Sequence, residues 1–261
     1  MRKDKPILFS APMVLAILRE IEKPGSGKTQ TRRIVSPKLQ SAPWKGSYEN
    51  QFCDHTWPAK RIDDFCPDCY ARLLDKCPYG KAGDYLWVRE TYFQFGHWEP
   101  VVGAVTRKGK RQKWRFVADR SDVLFEVPQP HRKGRHAADP ATPAWHQRLG
   151  RFMPRTASRL SLEVTDVRVE RLQSISAEDA RDEGVDRHSQ SVRQMWLLDA
   201  TSEQRAAIYL RACIWEYEQL WNTISGSGAW EANPFVVAVT FRPHLMNIDA
   251  FLKQRELSNV A

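Results

Sequence analysis

Outside one long amphipathic stretch, the patterned segments of this chain are short, alternate with a period of two, and lie far apart. That spacing limits the fold more than any other feature. Leu160-Ser161-Leu162-Glu163-Val164-Thr165-Asp166-Val167-Arg168-Val169 alternates over ten residues, the mark of a half-buried strand. Ile7 to Ser10, Lys28 to Val35 (entered through a turn) and Gly83 to Glu90 (a tight turn, then a strand) read as shorter strands, and Phe235 to Phe241 as a buried one. No regular β-α alternation links them. A small mixed barrel in the α+β class is therefore expected rather than a doubly wound parallel sheet.

Three helices are expected. Ser10 can cap a helix with Pro12 in its first turn and Met13, Leu15, Ile17, Leu18 and Ile21 on it, stopped by Pro24-Gly25. Ser176-Ala177-Glu178-Asp179 starts a short helix that ends at Gly184. Residues 202 to 224 space Ala206, Tyr209, Leu210, Cys213, Ile214, Tyr217, Leu220, Trp221 and Ile224 as one helical face. Two stretches, 36–82 and 100–152, lack this patterning and read as insertions into a single domain over 1–261, the second basic and partly irregular.

The longest apolar run, Ala11 to Leu18, is eight residues and contains Pro12, too short for a membrane span. Met1-Arg2-Lys3-Asp4-Lys5 leads into no cleavable apolar segment, so a cytoplasmic chain is expected. The net charge of +9 is not spread evenly. Arg107 to Arg159 holds 14 Lys/Arg against 4 Asp/Glu, which leaves −1 for the remainder. With Trp114, Trp145, His131, His136 and His146 interleaved, this segment suits contact with a phosphate backbone; a solvated insertion is the plainer reading.

Gly25-Ser26-Gly27-Lys28-Thr29 looks like part of a P-loop, but the required earlier glycine is Glu22, and the segment follows a helix and opens a strand. Both counts argue against nucleoside triphosphate hydrolysis. The same run places Thr29, Thr31 and Arg33 on one strand face, which Lys28 can join only if it still lies in the turn.

Four of the five cysteines, Cys53, Cys66, Cys69 and Cys77, fall within 25 residues, two of them as Cys-x-x-Cys. Four thiolates can complete a tetrahedral structural zinc site, a zinc knuckle that would staple an insertion with little core of its own. His55 is an alternative to Cys53 as the fourth ligand. Cys213, on the apolar face of the long helix, is expected to be a buried thiol.

Lys28-x-x-Thr31-x-Arg33 after a strand and helix, Gly83-Asp84-x-Leu86, Leu162-Glu163-Val164-Thr165 leading into Ser176 to Gly184, and the closing strand Phe235 to Arg242 together resemble the ASCH domain. The resemblance spans Pro6 to Pro243 in blocks, and Cys77-Pro78-Tyr79-Gly80 with Met153-Pro154-Arg155 is similar to the longer phage and prophage members. Where the family pattern is Gly-x-Lys-x-x-x-x-Arg, this chain has Ser26 in place of the glycine. The resemblance implies a PUA-like barrel with flanking helices that binds RNA or a modified nucleoside, with DNA as a further candidate.

One bacterial group of that family removes the acetyl group of N4-acetylcytidine, and by position its catalytic residues fall on Lys28, Thr31 and Glu183. Amide hydrolysis needs a nucleophile, a base and a group to serve the leaving nitrogen. Thr31, or a water it orients, would attack; Lys28 would take the proton; Glu183 would serve the nitrogen; Arg33 would steady an oxyanion or phosphate. Trp87 and Arg89 are candidates for stacking on a base, and Arg155 and Arg159 for phosphate contacts. Amide hydrolysis or RNA cleavage, non-catalytic recognition of RNA or a modified base, and an accessory role in phage assembly are the three readings carried forward.

Overall fold

The alternating stretch around Leu162 forms strand β8, Ser161–Arg171, in a computed structural model that describes residues 4–35, 71, 74, 77–107, 109, 111–185 and 201–258. It lies inside a five-stranded sheet whose other strands are β1 (Asp4–Leu8), β2 (Gln30–Ile34), β3 (Tyr85–Arg89) and β9 (Phe235–His244), in the order β1-β3-β8-β9-β2. β2 runs antiparallel to β9, with Gln30 opposite Thr240 and Ile34 opposite Val236. A four-stranded sheet has the order β5-β4-β7-β6 and comprises β4 (Tyr92–Val105), β5 (Gln112–Leu124), β6 (Arg132–Lys133) and β7 (Ala144–Arg148). This second sheet is mixed: β4 is antiparallel to β5 and β7, whereas β6 is parallel to β7.

The helices among the described residues include α1 (Ala11–Glu22), α2 (Ala177–Asp182), α3 (Ser202–Ser225) and α4 (Ile248–Ser258). The class is α+β. None of the described helices is long and apolar enough to cross a membrane. Local chemistry explains the short α2: Ser176 accepts a hydrogen bond from the Asp179 amide at 3.1 Å, and Gly184 beyond its end has φ +86°.

Two compact units divide the described residues, one from Met1–Lys5, Leu15–Leu86 and Leu162–Leu245, the other from Pro6–Val14, Trp87–Ser161 and Met246–Ala261. In the first, Cys213, Tyr217 and Trp221 of α3 pack with Ala180 of α2, Leu172, Ile175, Val185, Trp230 and Val236. Their four-residue spacing is the helical face anticipated from the pattern, and Cys213 is buried as expected. The second unit buries Ile7, Phe9, Val88, Tyr92, Phe93, Met153, Leu160, Ile248 and Phe251.

The basic stretch is more regular than its composition suggests. β4 and β5 form a long hairpin whose distal residues are largely exposed, and Gly96 is required within it because a Cβ there would lie 2.1 Å from the Val117 carbonyl oxygen. Helix α4 follows the strand that the sequence pattern placed last. Asn247 holds its start by donating to the Arg155 and Ser158 carbonyls at 3.0 and 2.8 Å.

Candidate functional site

Lys28 enters the interior of the first unit because the turn before β2 is pressed against α1. A Cβ on Gly27 would sit 2.2 Å from the Ala16 carbonyl oxygen, so only glycine fits. The Glu20 carboxylate fastens this turn by accepting from the Gly25 and Gly27 amides, both at 2.8 Å. The Lys28 amide then donates to Ala16 O at 3.0 Å, and the Thr29 amide to Asp182 O at 2.8 Å. Lys28 therefore precedes the strand, as convergence with residues of β2 requires.

The Lys28 side chain is 1% exposed and donates to Glu183 twice, at 2.6 Å to the carboxylate Oε2 and at 2.7 Å to the backbone carbonyl. Gly184 leaves space for it: a Cβ there would lie 3.0 Å from Lys28 Cβ. Burial lowers the Lys28 pKa against the opposing pull of Glu183, and Arg33 and Arg32 lower it further.

Arg32 stands beside this pair. Its guanidinium donates to Glu170 Oε1 (2.8 Å), Asp179 Oδ2 (2.7 Å) and Glu183 Oε1 (3.3 Å), and also to the Gln30 side chain. Desolvation works against its charge, but Glu183 and Glu170 outweigh it and raise its pKa. Gln30 donates to Asp179 Oδ1 at 2.9 Å and Thr240 Oγ1 at 3.1 Å. Arg168 also binds Asp179, and reaches Glu170 at 3.0 Å. Burial raises the Asp179 pKa, but the Gln30 bond, Arg32 and Arg168 prevail and hold it below the usual carboxylate range. Tyr217 lies under Arg32, with the guanidinium carbon 6.0 Å from the ring centre; burial and the Glu183 charge push its phenol well up.

The structure thus joins Lys28 to Glu183 across 155 positions of sequence. Thr31 is buried in β2 opposite Val239; by strand alternation it shares a face with half-buried Arg33, not with Gln30 and Arg32. The remaining candidates belong to the second unit. Trp87 is 6% exposed and its ring is already covered by Arg89, 4.8 Å away. Arg155 pairs with Asp249 at 2.8 Å, and Arg159 pairs with Glu90 at 2.9 Å while lying 4.0 Å over Phe125.

Cys53, Cys66, Cys69 and His55 lie outside the described residues. Cys77 is described and buried; its sulfur accepts the Tyr79 amide at 3.4 Å. Burial pushes its thiol pKa up, with the Tyr79 amide and Lys5 pulling the other way. Among the described residues no group of three or more His, Cys, Asp or Glu side chains is arranged to hold a metal.

Arg32, Glu170, Asp179, Arg168 and Tyr217 are the site residues the sequence reading passed over. Strand alternation was the available signal for Arg32, since it shares the Gln30 face of β2. Asp179 reads from sequence as a capping residue, and its amide is in fact used by Ser176, which leaves its carboxylate to the arginines. Neither a family model, a curated protein nor a solved structure matches the chain.

Proposed function

We propose that this is an ASCH-type module with a PUA-like barrel that binds a nucleic acid or modified nucleoside and hydrolyses an N4-acyl amide of cytidine. The observation that carries the reading is the enclosed Lys28–Glu183 contact of 2.6 Å. Burial favours the neutral amine, the form a general base needs. Thr31 Oγ attacks the acyl carbon and its proton passes to Lys28. Across the short contact the proton moves to Glu183, which delivers it to cytosine N4 as the C–N bond breaks. Water then attacks the acyl-Thr31 ester, and its proton returns by the same route to Thr31 Oγ. Arg33, on the Thr31 face, steadies the oxyanion.

Mass-spectrometric monitoring of N4-acetylcytidine tests this. Turnover by wild type and none by Thr31→Val, with an unchanged melting temperature, supports it; equal turnover by both, or none by wild type, refutes it. Non-catalytic recognition is favoured by one observation, the near-complete enclosure of Lys28: a pair so enclosed also serves to lock α2 to β2. Cys53, Cys66, Cys69 and Cys77 are proposed to hold a structural zinc, supported by the Tyr79 amide directed at the Cys77 sulfur. One zinc per chain is expected after preparation without chelator, and Cys77→Ser should lower that stoichiometry.

A further inference from the structure

Phe152 presents a large aromatic surface to solvent, 55% exposed, on a turn that holds it firmly. The turn, Gly150–Phe152, is fixed at both ends. A Cβ on Gly150 would lie 2.9 Å from the Glu90 carbonyl oxygen, and the Tyr92 hydroxyl donates to the Phe152 carbonyl at 3.1 Å. Two guanidiniums flank the ring, Arg151 at 4.9 Å and Arg148 at 5.5 Å from its centre. Arg148 in turn lies 4.1 Å from the Phe116 ring and 5.2 Å from that of Trp98, a cross-strand pair of β4 and β5. Arg148 thus links the Trp98–Phe116 pair to the exposed Phe152 ring.

Neither arginine forms an ion pair among the described residues, and the Arg148 Nε is buried without a hydrogen-bond partner. Both belong to the segment with 14 Lys/Arg against 4 Asp/Glu. Charge held on aromatic rings stays available to an incoming anion, whereas charge held by a carboxylate does not. An exposed ring with flanking uncompensated guanidiniums matches a stretch of unpaired nucleotides: the base stacks, and the phosphates on either side meet the cations.

We infer that Phe152, between Arg148 and Arg151, is a stacking site for one base of single-stranded nucleic acid. This rests on the nucleic-acid part of the reading above and is independent of the amide chemistry. RNA and DNA share the required chemistry, so both are used as probes.

The test is fluorescence anisotropy with 12-nucleotide oligo(U), oligo(dT), an abasic 12-mer and a duplex of equal length over a salt series. Phe152→Ala should weaken oligo(U) or oligo(dT) binding about tenfold, leave abasic binding unchanged and be rescued by Phe152→Trp. Arg151→Ala should reduce the salt dependence by about 0.7 in log–log slope, one phosphate contact on a single strand. Unchanged binding by Phe152→Ala, an abasic strand that binds as tightly as oligo(dT), or a preference for duplex would each overturn the site. If wild type binds no oligomer at low salt, the nucleic-acid reading itself falls; if wild type binds and Phe152→Ala binds equally, only the stacking site does.

Discussion

Two groups of arginines, one in each unit, are used in opposite ways. In the first, Arg32 and Arg168 are bound by Glu170 and Asp179, and Arg32 also by Glu183, so their charge is cancelled where it lies. In the second, Arg120, Arg135, Arg148 and Arg151 lie over Phe95, Trp114, Phe116 and Phe152 respectively, 4.1 to 4.9 Å from the ring centres. A carboxylate neutralises a cation; a ring supports it and leaves its field intact. The same residue type therefore consolidates the polar cluster of the first unit and, in the second, leaves uncancelled charge at these four positions beside ion-paired Arg155 and Arg159.

The sharpest way to break that contrast is to remove one member of the buried cluster. Arg32→Ala leaves three carboxylates without their shared cation and should lose about 3–5 kcal/mol in urea unfolding. Lys28→Met should lose a smaller but similar amount by taking the closer of its two cations from buried Glu183, whereas Lys28→Met with Glu183→Leu should return to within about 1 kcal/mol of wild type. A double variant as unstable as the single one would mean that the pair contributes more than it costs to bury.

Smaller changes sharpen the comparison. Gly27→Ala should destabilise by about 1–3 kcal/mol through overpacking against α1, read by the same unfolding measurement. Asp179 has a folded pKa below its unfolded value near 3.9. Its contribution is present above that unfolded value and is lost as pH falls through the folded one, so Asp179→Asn should flatten the acid limb of stability against pH. Arg135→Ala, removing a guanidinium 4.4 Å from the Trp114 ring, should cost only about 0.5–1 kcal/mol.

Legibility in the sequence followed burial. β8 and α3 are readable because each hides one face and so carries its period in apolar residues, β9 because burial on both faces makes it a continuous apolar run, and Gly184 because a helix end needs its φ. The proximity of Lys28 and Glu183 came from a resemblance in the arrangement of motifs; no local pattern links residues so far apart. The β4–β5 hairpin was missed because much of it is exposed, and strands wet on both faces, such as Gln112 to Arg115, lack the alternation that marks a half-buried one. Arg33 was chosen over Arg32 because a motif spacing gives position along the chain and not which face meets the carboxylates.

Strand β2 pairs at its first residue with Thr240, 210 positions further on. At roughly 5–20 residues per second, a nascent chain holds β2 for on the order of ten to forty seconds before β9 exists to receive it. Through that interval an unpaired strand is an invitation to aggregate. Gln30, Arg32 and Arg33 make up most of β2, so Gln30 and Arg32, which later organise the polar cluster, also help to keep the waiting strand soluble.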